Sequence, residues 1–99
     1  MDESLGRVVM DFSGRPYAVL KGEWHQPVVG GLPISLFMHF FESFANQALC
    51  NLHAEIVYGR DDHHQAEALF KAFGRAMLSA TRLDPRRSGT IPSTKGSIV

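Results

Sequence analysis

The spacing of apolar residues switches between two patterns along this chain, and that switching restricts the possible fold more than any other feature. Alternation of apolar and polar residues predicts strands at 7–12, 17–24 and 52–58. Apolar residues at every third or fourth position predict helices at 33–49 and 63–83. The order strand–strand–helix–strand–helix predicts an α+β fold: a two-layer sandwich with both helices on one face of a small, largely antiparallel sheet.

Local signals refine this arrangement. The turn sequence Ser13-Gly14-Arg15-Pro16 predicts that the first two strands form a hairpin. Asp62 occupies the position expected of a helix N-cap, with Gln65 three residues later as its capping-box partner. Apolar residues on the second face of the strands, Val9 and Val57 among them, predict that this face meets another domain.

Composition indicates a single globular domain spanning residues 1–99, because 44% of the residues are apolar. Lys and Arg together number 10, as do Asp and Glu, and no basic stripe is present. This balance argues against a nucleic-acid or membrane partner. The chain has one cysteine, no segment resembling a signal peptide and no apolar run of membrane-spanning length. We therefore expect a cytoplasmic protein.

A group of candidate metal ligands opens the second predicted helix. His63 and Glu67 are four residues apart, so they share one helix face at a spacing that suits two ligands of one ion. His64 is rotated by about 100° from His63, which makes a second ion or a second chain its natural target. His53 points outward from the preceding strand, and the short turn between them allows it to converge with His63. Imidazole and carboxylate ligands suit zinc, manganese or iron.

The same residues also have a simpler interpretation. Histidines at the start of a helix are often solvated, and Glu67 then forms an ordinary pair with Lys71 one turn later. The segment 92–96 offers hydroxyls, a cation and flexible backbone that suit a phosphate group, although linkers often have this composition. Arg15 is equally compatible with a solvated turn.

Taken together, these segments resemble the imidazoleglycerol-phosphate dehydratase family over essentially the whole chain. The matching segments follow in order: DFSGRPY at 11–17, HFFESFA at 39–45, LH at 52–53, YGR at 58–60, DHH at 62–64 with Glu67, FKA at 70–72 and PSTKG at 92–96. The resemblance implies a duplicated fold of two similar repeats, a large hollow assembly, and a two-manganese site between repeats. It also implies a reaction of histidine biosynthesis, in which imidazole glycerol phosphate loses water.

The resemblance further implies roles for individual residues. His53, His63 and Glu67 would bind one manganese ion, and His64 would bind the neighbouring one. Glu67 and Lys71 would act in catalysis, with Lys71 near the substrate hydroxyls.

Substrate phosphate would be held by residues far apart in the sequence. Arg15, Ser93 and Lys95 match the phosphate-binding positions of the family. Residues 84–99 would then form a substrate-binding tail.

The match covers the C-terminal repeat of the family only, so we expect these residues to hold half of a site. The resemblance assigns a second phosphate-binding arginine and a proton-transferring glutamate to the N-terminal repeat. Three functions follow from that expectation. The chain is a metal-binding, self-assembling half-enzyme with little or no turnover; or an active dehydratase when assembled with itself or with a separate N-terminal repeat; or a structural fragment without metal. The expected partners are copies of itself or an N-terminal repeat, and a small imidazole phosphate substrate.

Overall fold

The structure, a computed structural model, describes residues 2–81. Its elements are β1 (Leu5–Asp11), β2 (Tyr17–Lys21), β3 (Val28–Val29), β4 (Leu32–Pro33), α1 (Ile34–Ala48), β5 (Asn51–Tyr58) and α2 (Asp62–Thr81). The strands β1, β5 and β2 form one sheet, and both helices pack on one face of it. The predicted α+β sandwich is confirmed, with the short β3–β4 hairpin added between β2 and α1. Neither helix is long and apolar enough, within the described residues, to cross a bilayer.

The predicted hairpin between β1 and β2 is wrong, because β5 lies between them. β1 runs antiparallel to β5 and β2 runs parallel to it, so the sheet is mixed. The segment 12–16 therefore crosses the start of β5, spanning two strand spacings, or about 10 Å. Asn51 fixes this crossing, since its Nδ2 atom donates to Ser13 Oγ and to the Arg15 carbonyl oxygen, both at 2.8 Å. A turn sequence indicates that the chain reverses its direction. It does not indicate that a later strand will lie between the two strands that flank the turn.

The core lies between the sheet and the helices. Leu52, Ala54 and Ile56 alternate along β5 and are buried beneath the helices. Phenylalanines of α1 meet Phe70 and Phe73 of α2 with ring centroids 5.0 to 5.7 Å apart. Each such aromatic pair adds about 0.5–1.5 kcal/mol to the stability, beyond the contribution of the apolar area that it buries. The phenylalanine cluster thus holds the two helices together and positions the first turns of α2.

The first turn of α2 is capped by Asp61, and the predicted cap at Asp62 is wrong. Asp61 Oδ1 accepts a hydrogen bond from the backbone N–H of His64 at 3.0 Å, the geometry of an N-cap. Asp62 instead accepts the backbone N–H groups of His25 and Gln26 at 2.8 to 3.1 Å. Burial raises the pKa of Asp62, but these hydrogen bonds outweigh it and lower the pKa overall. Adjacent aspartates at a helix start are equivalent in sequence, and the contact with the distant 25–26 segment decides between them.

The sheet face opposite the helices is uncovered. Val9, Tyr17 and Val57 expose 56%, 62% and 40% of their surface there. On β2, Ala18 and Leu20 pack against the core, so Tyr17 and Val19 belong to the open face. This open apolar face is the surface for which the sequence predicts a partner domain.

Gly6 allows β1 to approach α2 closely, and we expect Gly6→Ala to destabilise the fold. A Cβ at this position would lie 3.0 Å from the Ala68 carbonyl carbon and from the Leu69 backbone nitrogen. Backbone atoms of a packed helix cannot move aside as a flexible side chain does. The expected loss is about 1–3 kcal/mol of the free energy of unfolding, measured by urea titration followed by circular dichroism.

Gly74→Ala is the matched control, since no atom lies within 4 Å of the position of its Cβ. Gly74 lies inside α2, where alanine is expected to stabilise by about 0.5–1 kcal/mol. Equal stability changes in the two variants would contradict the close packing of β1 on α2.

Candidate functional site

The first turns of α2 carry the predicted ligand pair. His63 Nε2 lies 3.3 Å from Glu67 Oε1, and Glu67 Oε2 lies 3.5 Å from Lys71 Nζ. The i,i+4 spacing therefore stacks all three side chains on one face, as predicted. The side chains of His63 and Glu67 are 68% and 37% exposed, so both ligand atoms are accessible.

An apolar cavity of about 280 Å³ adjoins this pair. Its walls come from the β3–β4 hairpin and from both helices, and they include Val29, Phe37 and Phe70. Gly30 and Gly31 form the hairpin turn with φ of 56° and 86°, the left-handed values that a two-residue turn of this kind requires. His63 and Glu67 lie at the edge of this cavity, so a group bound to them would have an apolar wall on one side.

His64 points in a different direction, as the rotation of about 100° per residue predicts. Its Nδ1 atom lies 2.6 Å from Glu3 Oε1, and its Nε2 atom lies 3.7 Å from Asp2 Oδ2. The hydrogen bond to Glu3 raises the pKa of His64, against the opposing effect of desolvation. His64 is therefore held by the segment preceding β1, away from His63.

Glu3 is a site residue that the sequence analysis missed. Its Oε2 atom accepts the Ser4 hydroxyl at 2.6 Å and the backbone N–H groups of Arg60 and Asp61 at 2.9 and 3.0 Å. These hydrogen bonds, with that from His64, lower the pKa of Glu3 well below its usual range, the Ser4 bond most strongly. No periodic pattern includes Glu3, because it precedes the first strand, and its partners other than the adjacent Ser4 lie 57 to 61 residues away.

The structure does not bring His53 to His63. His53 lies on the open face of the sheet, between Val9 and Val19, with its ring 6.4 Å from that of Tyr17. The strand from His53 to Tyr58 extends about 17 Å, and His53 faces away from the helices. Among the described residues, no three His, Cys, Asp or Glu side chains are close enough to hold a metal ion.

The remaining predicted site residues are also apart from α2. Arg15 is exposed in the crossing segment at the start of β5, whereas α2 begins beyond the other end of that strand. Asn51, which holds the Arg15 carbonyl, is two residues from His53, so Arg15 and His53 lie toward the same end of the sheet. Ser93, Lys95 and the predicted tail at 84–99 lie outside the described residues.

The donor set of α2 fits a divalent metal in part. An imidazole nitrogen and a carboxylate oxygen on one helix face are two ligands suited to manganese, zinc or iron. Manganese and related ions take more than two ligands, so an ion held by His63 and Glu67 needs further donors from outside α2.

Comparisons with known proteins identify the family. The family model for imidazoleglycerol-phosphate dehydratase matches residues 1–77. The dehydratase of Chloroflexus aggregans is 57% identical over 96 residues, which cover 97% of this chain and 47% of that protein. This chain thus spans about half the length of the curated relatives it matches.

Solved structures agree with the sequence comparison. The imidazoleglycerol-phosphate dehydratase of Pyrococcus furiosus, solved with (S)-C348, superposes with a TM-score of 0.80 at 32% identity, covering 97% of this chain and 52% of that one. The Staphylococcus aureus enzyme superposes with a TM-score of 0.73 at 40% identity, covering 78% and 45%. The chain belongs to the imidazoleglycerol-phosphate dehydratase family.

Proposed function

We propose that this chain is one repeat of a manganese-dependent imidazoleglycerol-phosphate dehydratase of histidine biosynthesis, and that it supplies half of the catalytic site. The observation that carries the proposal is the pairing of His63 and Glu67 on one face of α2, with their ligand atoms accessible. We propose the reaction and the substrate on the basis of family membership. A bound divalent ion would stabilise charge that develops on the substrate as water is lost.

The residues of α2 have distinct tasks in this proposal. His63 and Glu67 hold the ion, and the neighbouring Lys71 ammonium keeps Glu67 oriented through a 3.5 Å ion pair. Because Lys71 is 60% exposed, it is free to turn toward substrate hydroxyls. The cavity beside the pair offers apolar walls, among them Val29, Phe37 and Phe70, against which a substrate could pack.

The candidate site residues lie on separate parts of the fold, and this supports a site that is shared between two repeats or two chains. His63, Glu67 and Lys71 lie on α2, whereas His53 and Arg15 lie on the open face and at the start of β5. We therefore propose that His53 and Arg15 serve a site completed by another repeat or chain. His64 serves a neighbouring ion, and Ser93 and Lys95 add to phosphate binding.

The open apolar face supports a partner repeat or a second copy as the structural partner. Val9, Tyr17 and Val57 expose large apolar surfaces on it, and a small domain gains stability by covering them. A structural fragment without metal is the competing function. In that function His63, Glu67 and Lys71 form ordinary i,i+4 surface pairs, whereas the exposure of the His63 and Glu67 side chains favours metal binding.

Manganese binding and assembly test the proposal together. We expect the 99-residue chain to bind manganese and to associate further when the ion is added, because donors from more than one copy complete each site. His64→Ala is expected to lower both the manganese content and the assembly size, measured by metal analysis of fractions from gel filtration with light scattering. Full metal content and unchanged assembly in His64→Ala would contradict the shared site.

A further inference from the structure

We infer that Glu3 is a positioning residue that fixes the ring orientation and the tautomer of His64, so that Nε2 is the nitrogen presented to a ligand. The expected effect of Glu3 on metal binding rests on the proposed function. The contact between Glu3 and His64 does not depend on that function. Glu3 Oε1 lies 2.6 Å from His64 Nδ1, a short hydrogen bond of the charge-assisted kind.

The tautomer follows from the hydrogen bonds around the carboxylate. Besides the His64 ring, three donors bind Glu3: the Ser4 hydroxyl and the backbone N–H groups of Arg60 and Asp61. An ionised carboxylate only accepts hydrogen bonds, so Nδ1 of His64 must carry the hydrogen. In the neutral ring, Nε2 is then the atom with a free lone pair.

Glu3 also fixes the ring relative to the helix start. Its Oε2 atom binds the backbone N–H groups of Arg60 and Asp61, which lead into α2, while Oε1 binds His64. One carboxylate thus joins the turn before α2 to a side chain in the first turn of α2. A carboxylate that binds the second nitrogen of a ligating histidine typically changes metal affinity by about 10–100-fold when removed.

Asp2 is the other carboxylate near this ring. It lies 3.7 Å from Nε2 and its side chain is 69% exposed, so it does not enclose that nitrogen. The His64 side chain is 33% exposed and its Nδ1 atom is engaged by Glu3, so Nε2 is the nitrogen left for an approaching ion.

The experiment compares Glu3→Gln and Glu3→Ala with the wild-type chain, and uses Glu42→Gln as a control. Glu42 is an exposed carboxylate on α1. Glu3→Gln keeps an oxygen that accepts the backbone N–H groups, so it preserves the turn if Glu3→Ala does not. The first readout is the ¹⁵N spectrum of His64 in the metal-free chain at about pH 9, where the imidazole is neutral. The second is the dissociation constant for Mn²⁺ alone, by calorimetric titration.

We expect His64 to be the Nδ1–H tautomer in the wild type, to lose part of that preference in Glu3→Gln and most of it in Glu3→Ala. Affinity for Mn²⁺ should fall in the same order, by about 10–100-fold at most, and stay unchanged in Glu42→Gln. An unchanged tautomer in both Glu3 variants would overturn the inference, whatever the metal does. A wild-type chain that binds no Mn²⁺ while its tautomer depends on Glu3 would overturn the proposed metal site and leave the positioning role established.

Discussion

Replacing His63 with alanine is expected to lower the dehydration rate of imidazole glycerol phosphate by about 10³-fold or more, in an assembly that includes a first repeat. A first repeat can be supplied as the half of the Chloroflexus aggregans relative that this chain does not match. In the proposed site His63 would provide one of the two metal ligands on α2, and Glu67 alone would not hold an ion firmly. Charge stabilisation by a metal contributes several kcal/mol, and each 1.36 kcal/mol of barrier is a tenfold change in rate.

Gln47→Ala provides the control for this loss. Gln47 is an exposed residue on α1, away from the first turns of α2 and outside the segments that match the family. Its replacement should leave the rate within about twofold, because surface substitutions usually change stability by less than 0.5 kcal/mol. A rate for His63→Ala close to that of Gln47→Ala would exclude His63 from the catalytic site.

Phe41→Ala is expected to lower the free energy of unfolding by about 3–5 kcal/mol. Phe41 is fully buried, stacks on Phe70 at 5.4 Å and contacts Phe73 at 5.6 Å. Its removal leaves a cavity in the phenylalanine cluster that joins the helices. Because small domains have total stabilities of about 5–15 kcal/mol, this loss is a large fraction of the free energy of unfolding. Urea denaturation followed by circular dichroism measures the change.

Phe40→Ala tests whether burial, not aromatic contact alone, determines this loss. Phe40 also contacts Phe70 and Phe73, at 5.7 and 5.6 Å, but 43% of its surface is exposed. Its replacement should cost about 1–2 kcal/mol, in proportion to the smaller area buried. Similar losses for the two variants would place the helix–helix core elsewhere than at Phe41.

Local periodicity was sufficient to predict the three strands of the main sheet, the two helices and the proximity of His63 to Glu67. The i,i+4 spacing of His63 and Glu67 predicts their pairing because helix geometry alone places them on one face. The same geometry predicts that His64 points elsewhere. These relations involve residues within one turn of a helix, so no knowledge of the tertiary fold is needed.

Relations between distant segments were not predictable in this way. The position of β5 between β1 and β2 depends on pairing between strands about 40 residues apart in the sequence. The turn sequence between β1 and β2 contains no information about this long-range pairing. The capping role of Asp61 depends on Asp62 being engaged by residues 25 and 26. Glu3 acquires its role only because the start of the chain folds against the turn before α2.

The central claim is that residues 1–99 hold half of a dehydratase site, and one assay tests it most directly. The purified 99-residue chain is assayed with manganese and imidazole glycerol phosphate, alone and after mixing with a separately produced first repeat. The resemblance assigns a proton-transferring glutamate and a second phosphate-binding arginine to that repeat. Loss of a general acid–base group typically costs about 10²–10⁴-fold in rate. We predict a rate near the detection limit for the chain alone and a restored rate in the mixture. Turnover by the chain alone within about tenfold of an ordinary enzyme's roughly 10 s⁻¹ would contradict the claim.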